Sequence, residues 1–481
     1  MLNSKLLKLL MTFSRAEAKE FGLFLRSPVY NGEKVLVNFY TYLKRHYPEF
    51  KSSHLSKEKI YSRLFPGKNY NDPLMRNTIS DLMKLAERFL KINHFENDKF
   101  YSQYLLLKEL TNRKQSPLFK VNFKKAYTIL HSESARDEIY YQNKFLLEDE
   151  WRRNHVMNTS RILFETDNLR EQSESLHVYF VSEFIKLYAI MLNQSKSTYD
   201  YNFDFTLFES LTEYLENNFS LYRDVPYINI FYNCVKLYKT GELKYFEDLK
   251  LLHKKYHGIL TSTDRKNIFI VLLSYCEEQI KTGNTAFADE KFRINIYLLK
   301  TKDYLEGNNF MPHYLYESIA NNASDCGKYE WSEKFLDNYR KMLHPEFKDI
   351  SYNICMSELL FNLNKYNKAL ETLSLVVPAD VKLRTKINVL LLKIFYCTNE
   401  TVSFNSLVES SRKYIIRNKK VQETSRVMFS NFLNFINKLY KIKNDDKLIP
   451  ELKSLRNKIL FCNDLFSKKW ILDSVDELAD S

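Results

Sequence analysis

Glycine and proline are scarce in this sequence of 481 residues, which holds 8 glycines and 10 prolines. Average usage would give about 34 and about 24. The glycines stand at or near breaks between helical patterns, and no two are close enough to build a loop that cradles a phosphate. Rossmann and P-loop nucleotide sites need clustered glycines, so both are excluded.

Long uncharged apolar runs are also missing. The N-terminal stretch MLNSKLLKLLMTF is interrupted by Lys8, which makes it too short for a signal peptide or a membrane span. No later stretch reaches the roughly 18 apolar residues that a span requires. We therefore expect neither a signal peptide nor a membrane segment.

Cysteines never occur with the spacing of a metal site. The six cysteines are far apart, and no C-x-x-C pair exists. Zinc fingers and disulfide frameworks both depend on regular spacing, so neither is expected. Most of these cysteines lie in apolar helical context, which predicts small buried core residues in a reducing compartment, and we therefore expect a cytoplasmic protein.

What is abundant is helical periodicity. The pattern Ser14-x-x-Glu17 is a capping box. Asp72-Pro73 is typical of an N-cap followed by the first helical residue, and it predicts a helix over 73–93. Further helices are predicted at 117–131, 135–156, 160–172 and 175–193, and no β-rich stretch is found.

The clearest unit is a helical hairpin at Asn353–Pro378, NICMSELLFNLNKYNKALETLSLVVP. Two apolar stripes are separated by Asn364 and Lys365. This spacing resembles a tetratricopeptide repeat, in which a small residue such as Ala369 lets the second helix approach the first. The residues predicted to pack between repeat helices are Leu363, Tyr366, Ala369, Leu373, Tyr329 and Trp331.

Similar turns recur upstream of this hairpin. Comparable positions are Gly241, Gly283, Gly327 and Asn364, separated by 42, 44 and 37 residues, and each is followed by an aromatic residue. The period is longer than the 34 residues of the tetratricopeptide repeat. The prediction is an all-α protein whose residues 201–472 form an irregular α-solenoid of antiparallel hairpins.

A second resemblance lies in LSKEKIYSRLFPGKNYNDPLMRNTISDLMKLAERFL, at about 55–90. It resembles the helix-turn-helix half of the winged-helix domain of bacterial transcriptional activators. Phe65 stands where that family has tryptophan, and the strands of the wing are not visible because 97–113 is again helical. The resemblance implies DNA contact through Arg76, Asn77, Ser80 and Lys84. Two more basic residues, Arg88 and Lys91, lie on the same polar face.

The net charge of +13 is uneven. Residues 1–130 carry +13, 131–350 carry −7 and 351–481 carry +7. This predicts a basic helical N-terminal module at 1–130, connecting helices at 131–200, the solenoid at 201–472 and a frayed acidic tail at 473–481. Sign asymmetry of this kind informs about partners and not about fold.

The basic C-terminal segment, 382–469, holds 19 Lys/Arg against 7 Asp/Glu. A continuous basic stripe there would favour a phosphate backbone or an acidic protein. The nucleic-acid-binding candidates in this segment are Arg412, Lys413, Arg417, Lys419 and Lys420.

Catalytic and metal motifs are weak. His253 and His257 are spaced i,i+4, but a helix C-terminus that favours positive charge explains them better than a metal. Glu174-x-x-His177 is a single half of a di-metal motif, and Glu148-Asp149-Glu150 is interpreted as exposed charge. No enzyme, cofactor or metal is predicted.

The sequence therefore favours a non-catalytic adaptor that holds a protein partner on an α-helical repeat surface. The alternative is a nucleic-acid-binding protein, either a DNA-binding regulator or an RNA- or ribosome-associated factor, that uses its two basic ends.

Overall fold

A computed structural model describes residues 4–50, 55–132, 137–158, 166–195, 203–305, 310–378, 380–418 and 423–480. Within these ranges all regular secondary structure is helical. The β-pairing of the described residues is limited to an isolated bridge between Met311 and Leu343. The predicted all-α class is confirmed.

The α-helices of the described residues are α1 (Lys5–Leu10), α2 (Arg15–Phe24), α3 (Lys34–Lys44), α4 (Lys57–Leu64), α5 (Asp72–Asn97), α6 (Lys99–Asn112), α7 (Ser116–Ser132), α8 (Glu138–Asn158), α9 (Thr166–Ser195), α10 (Thr206–Asn217), α11 (Phe219–Tyr222), α12 (Pro226–Thr240), α13 (Leu243–Tyr256), α14 (Ser262–Lys281), α15 (Ala286–Thr301), α16 (His313–Asp325), α17 (Tyr329–Tyr339), α18 (Lys348–Asn362), α19 (Tyr366–Ser374), α20 (Val381–Thr398), α21 (Thr401–Arg417), α22 (Glu423–Lys443), α23 (Leu452–Phe461) and α24 (Lys468–Asp480). Short 3₁₀ turns occupy Arg340–Met342 and Asp446–Glu451.

The chain divides into two compact units, Met1–Phe180 and Val181–Ser481, and the division falls inside α9. The predicted boundary between the connecting helices and the solenoid, at 200/201, lies outside the described residues.

In the first unit, α1 to α5 share one core, with Phe21, Phe39 and Leu82 fully buried at its centre. A fully buried phenylalanine or leucine stabilises a fold by about 1.5–3 kcal/mol. A second cluster joins α6, α7 and α8.

Two helix starts in this unit are defined by their caps. The predicted capping box of α2 is confirmed: Ser14 N–H donates to Glu17 at 2.7 Å, and Glu17 N–H donates back to the Ser14 hydroxyl at 3.1 Å. The N-cap of α5 was predicted one residue too late. Asn71 accepts from Leu74 N–H at 2.9 Å, while Asp72 is already helical. The Asp72 carboxylate instead meets Lys57 at 3.0 Å.

The second unit contains helical hairpins whose turns are the predicted ones. The pairs α12/α13, α14/α15, α16/α17 and α18/α19 pack against each other. Each turn contains a residue in the left-handed backbone region, with φ +67° at Gly241, +97° at Gly283, +70° at Gly327 and +57° at Asn364. Glycine and asparagine tolerate this conformation best, which explains why the turn positions were visible in the sequence.

The hairpin predicted at 353–378 is present as α18 and α19. Ala369 and Leu373 are buried in its core, and Tyr366 packs against the same cluster. Leu363 caps α18 and is half-buried. In the α16/α17 hairpin, Trp331 stacks on Phe335 with ring centroids 5.3 Å apart. Tyr329 starts α17 and is half-buried.

The predicted break between helices at 160–172 and 175–193 is wrong within the described residues, because α9 continues through it. No proline or glycine stands near position 173 to stop a helix. By length and composition alone, Asn168–Ser195 could cross a membrane. This is weak evidence for a membrane span, because the apolar part of the helix carries Glu183 and Lys186. Lys186 also lies 3.0 Å from the buried carboxylate of Asp264.

The acidic C-terminus is not frayed as predicted. Helix α24 runs to Asp480, and Val475 is 1% exposed in the core that it shares with α20 to α23. On its surface, both carboxylate oxygens of Asp476 accept from Arg456, at 2.6 and 3.0 Å. The apolar residues of one face anchor the helix despite the acidic residues between them.

Candidate binding groove

Three helices of the second unit lie side by side. α16, α18 and α20 are the first helices of successive hairpins, and α18 contacts both of the others. Side chains two helical turns apart on one helix point in the same direction, since each residue turns the chain by about 100°. This rule places Glu317, Ser351 and Lys386 in one row across the three helices. Asp325, Glu358 and Lys393 form a second row.

The first row is a network around Lys386 on α20. Its ammonium lies 3.0 Å from Glu317 of α16 and 3.6 Å from Glu358 of α18. Ser351 of α18 donates its hydroxyl to Glu317 at 2.7 Å. Burial alone would lower the pKa of Lys386, but the nearby carboxylates outweigh that cost and raise it. All three charged side chains keep partial contact with water, at 32%, 21% and 24% exposure.

The second row consists of Asp325, Glu358 and Lys393. Asp325 is exposed and makes no hydrogen bond or ion pair with another described residue. Glu358 Oε2 is buried without a hydrogen-bond partner. The Lys393 ammonium lies 4.5 Å from the ring centre of Phe361 and 5.2 Å from that of Trp470, and burial lowers its pKa.

We refer to the strip across α16, α18 and α20 that carries Glu317, Asp325, Glu358, Lys386 and Lys393, together with the buried Ser351, as the charged groove. Groups of three or more metal-ligating side chains are not found among the described residues. The hydroxyl of Ser351 is held by a carboxylate and has no histidine beside it among the described contacts. The chemistry that this arrangement supports is charge-based binding.

The histidine pair at 253 and 257 belongs to a different cluster. The His257 Nε2 atom lies 2.8 Å from Asp303, which also accepts from Arg265 at 2.5 Å. Arg265 also donates to the carbonyls of His257 and Leu260, so it closes the end of α13. His253 is 2% exposed, and burial, with His257 nearby, lowers its pKa to about 4. The predicted explanation, a favourable positive charge at a helix end, is therefore wrong for His253, which is neutral at pH 7.

The acidic triplet on α8 is not the exposed charge that we predicted. Glu148 and Glu150 are 6% and 2% exposed, while only Asp149 has substantial access to water. Asn168 of α9 donates to Glu148, and Arg153 lies 3.6 Å from Glu150. Burial raises the pKa of Glu148. Neighbouring helices cover two sides of α8, which a single-helix pattern does not reveal.

The predicted polar face of α5 is exposed. Arg76, Asn77, Ser80, Lys84, Arg88 and Lys91 all face water. Two of these charges are neutralised locally, because Arg76 lies 2.6 Å from Asp72 and Lys84 lies 2.9 Å from Asp81. The guanidinium of Arg88 lies 5.1 Å from the ring centre of Tyr30. After α5 the chain continues directly into α6, so no wing follows in the described residues up to Ser132.

The C-terminal candidates are partly placed. Lys413 and Arg417 on α21 are exposed, and Arg412 donates to Asn434 at 3.0 Å. Lys419 and Lys420 lie outside the described residues. None of the placed three lies in the charged groove.

Sequence reasoning missed the groove itself. One signal was present, because Lys382, Lys386 and Lys393 fall at i, i+4 and i+11 and therefore on one face of α20. Their acidic partners on α16 and α18 are distant in sequence, and no pattern within one helix points to them.

Comparisons with protein-family models, with curated proteins and with solved structures gave no match for this chain.

Proposed function

We propose that this protein is a non-catalytic adaptor that holds a segment of a protein partner in the charged groove. The fold that we propose for this role is an irregular, tetratricopeptide-like α-solenoid built from the hairpins α12/α13 to α20/α21. In such stacks the first helices line a continuous surface, and that surface selects the partner.

The observation that carries the proposal is the state of the charges in the groove. Asp325 is exposed and makes no hydrogen bond or ion pair with another described residue, so its carboxylate is free to pair with a partner's cation. Lys393 has no ion-pair partner among the described residues, and Glu358 has one oxygen without a hydrogen-bond partner. Glu358 and Lys393 are half-buried, so part of their hydration is already lost on folding, and pairing with a partner's charges costs less further desolvation.

A matched pair of charge reversals tests the adaptor. Asp325→Arg changes the groove without breaking an ion pair, and Glu330→Arg makes the same change at an exposed residue of α17. Affinity purification of the full chain should recover a stoichiometric protein partner with the wild type and with Glu330→Arg. Recovery with Asp325→Arg should fall by about tenfold or more, because a like charge replaces a complementary one. Absence of any stoichiometric partner, or equal recovery from both variants, would contradict the adaptor.

Nucleic-acid binding is the second candidate, and the continuous exposure of the α5 face favours it. The double reversal Arg76→Glu with Lys84→Glu should abolish binding to duplex DNA or structured RNA if this helix contacts phosphates. In the wild type, the logarithm of the affinity should fall with the logarithm of salt by about 0.9 for each phosphate contact. Unchanged affinity in the double variant, or a flat salt dependence, would remove α5 as a nucleic-acid surface.

A further inference from the structure

Lys393 is held in an unusual way for a lysine of a helical surface. Its ammonium lies against the faces of two aromatic rings, Phe361 on α18 and Trp470 on α24, at 4.5 and 5.2 Å. It forms no hydrogen bond or ion pair with another described residue. An ammonium has three donors and no acceptor, so these donors remain for water or for a ligand.

The acids nearest to Lys393 do not satisfy it. Glu358 directs one carboxylate oxygen to Lys386 at 3.6 Å, and its other oxygen is buried without a hydrogen-bond partner. Asp325 influences the pKa of Lys393 through space but forms no ion pair with it. Burial lowers the pKa of Lys393, which shows that the surrounding protein makes its charge costly. An external anion would offset that cost.

We propose that the partner segment presents the carboxylate of an aspartate or glutamate side chain to Lys393. This inference rests on the adaptor function proposed above and specifies the chemistry of its partner. The two rings attract the ammonium through their faces, and because it makes no hydrogen bond or ion pair with another described residue, its donors remain available to that carboxylate.

The groove favours a carboxylate over a phosphate. A phosphate monoester carries about two negative charges, so Asp325 and Glu358 would repel it about twice as strongly as a carboxylate, although Lys386 beside Glu358 and Lys291 and Lys469 near Asp325 offset part of that repulsion. A carboxylate carries a single charge, which one ammonium balances. The same two acids also disfavour a nucleic-acid backbone at this position.

A random peptide library displayed on phage and selected against the full-length chain provides the probe. Selected peptides should be enriched in aspartate or glutamate. Lys393→Met keeps the length of the side chain and removes the charge, and it should weaken their binding by about tenfold or more. Lys393→Arg should retain most of the affinity, because it keeps a cation against the rings. Lys334→Met, at an exposed lysine of α17, serves as the matched control and should bind as the wild type does.

The outcomes separate this inference from the adaptor itself. Peptides that bind without enrichment in acidic residues, or that bind Lys393→Met as tightly as the wild type, would overturn the carboxylate partner and leave the adaptor standing. Absence of any selected peptide would count against both. Circular dichroism of each variant would verify that the helices are intact.

Discussion

Single residues with left-handed backbone determine where the helices of the second unit stop. Gly241, Gly283 and Gly327 have φ between +67° and +97°. A Cβ atom added to each of these glycines would have no other atom within 4 Å. Glycine is therefore required for its backbone conformation. A side chain there would strain the backbone, but it would not clash with neighbouring atoms.

Gly241→Ala should lower the free energy of unfolding by about 1–2 kcal/mol, the cost of left-handed backbone for an L-residue. Gly258→Ala is the control, since Gly258 also has open space around its Cα but does not have left-handed backbone. Denaturant unfolding measures both variants. Equal effects at the two positions would show that the turn after α12 does not impose this backbone.

His253 is a buried histidine that makes stability depend on pH. His253 packs against Phe269, with ring centroids 4.6 Å apart, and its Nε2 atom has no hydrogen-bond partner. Its folded pKa of about 4 lies below the ordinary value of 6.5. At low pH the unfolded chain therefore binds a proton that the folded chain excludes, and stability falls as pH drops below 6.5.

Lowering the pH from 7 to 5 should cost about 2 kcal/mol through His253 alone. His253→Phe keeps an aromatic ring in the core and removes the titrating group, so this part of the pH dependence should disappear. Urea unfolding of both proteins at the two pH values makes the comparison. Burial raises the pKa of Asp303, but its hydrogen-bond partners lower it by more, so its contribution to stability is lost only as pH falls below the ordinary value of 3.8 and through the lowered folded pKa. If the free energy of unfolding falls by the same amount between pH 7 and pH 5 in the variant as in the wild type, His253 is not the source of that loss.

Helix α24 shows how an element can differ from its composition. The sequence after Leu472 contains four acidic residues, which suggested a frayed end. The helix nevertheless forms because Ile471 and Val475 are buried on one face.

Val475→Ala should destabilise the second unit by about 2 kcal/mol, through lost burial and the cavity left behind. The same substitution at Val402, which is 84% exposed, should change stability by no more than about 0.5 kcal/mol. Thermal unfolding followed by circular dichroism distinguishes the two. If Val475→Ala leaves the stability unchanged, α24 does not pack against the core of the second unit.

Prediction from sequence succeeded where one element carries its own signal. The capping box at Ser14, the turn at Asn364 and the buried Ala369 all follow from local rules about caps, left-handed backbone and close helix contact. It failed where a second element decides the outcome. Glu150 is buried because neighbouring helices cover it, and Lys386 meets Glu317 from 69 residues away.

At the scale of the whole chain, charge of both signs meets within the charged groove. In the second unit, α16 and α18 supply the acids of the charged groove and α20 supplies its lysines. One groove that offers both signs of charge favours a partner segment that is itself mixed in charge and disfavours a uniformly negative polymer.

Site-specific photo-crosslinking in living cells tests the adaptor most directly, with a photoreactive amino acid in place of Lys382, Glu330 or Ser80. Lys382 is an exposed residue on the groove side of α20, Glu330 lies on α17 and Ser80 lies on α5. We expect one abundant protein adduct from position 382 and none from the other two. Adducts from position 80 alone, or adducts to nucleic acid without a protein adduct at 382, would contradict it.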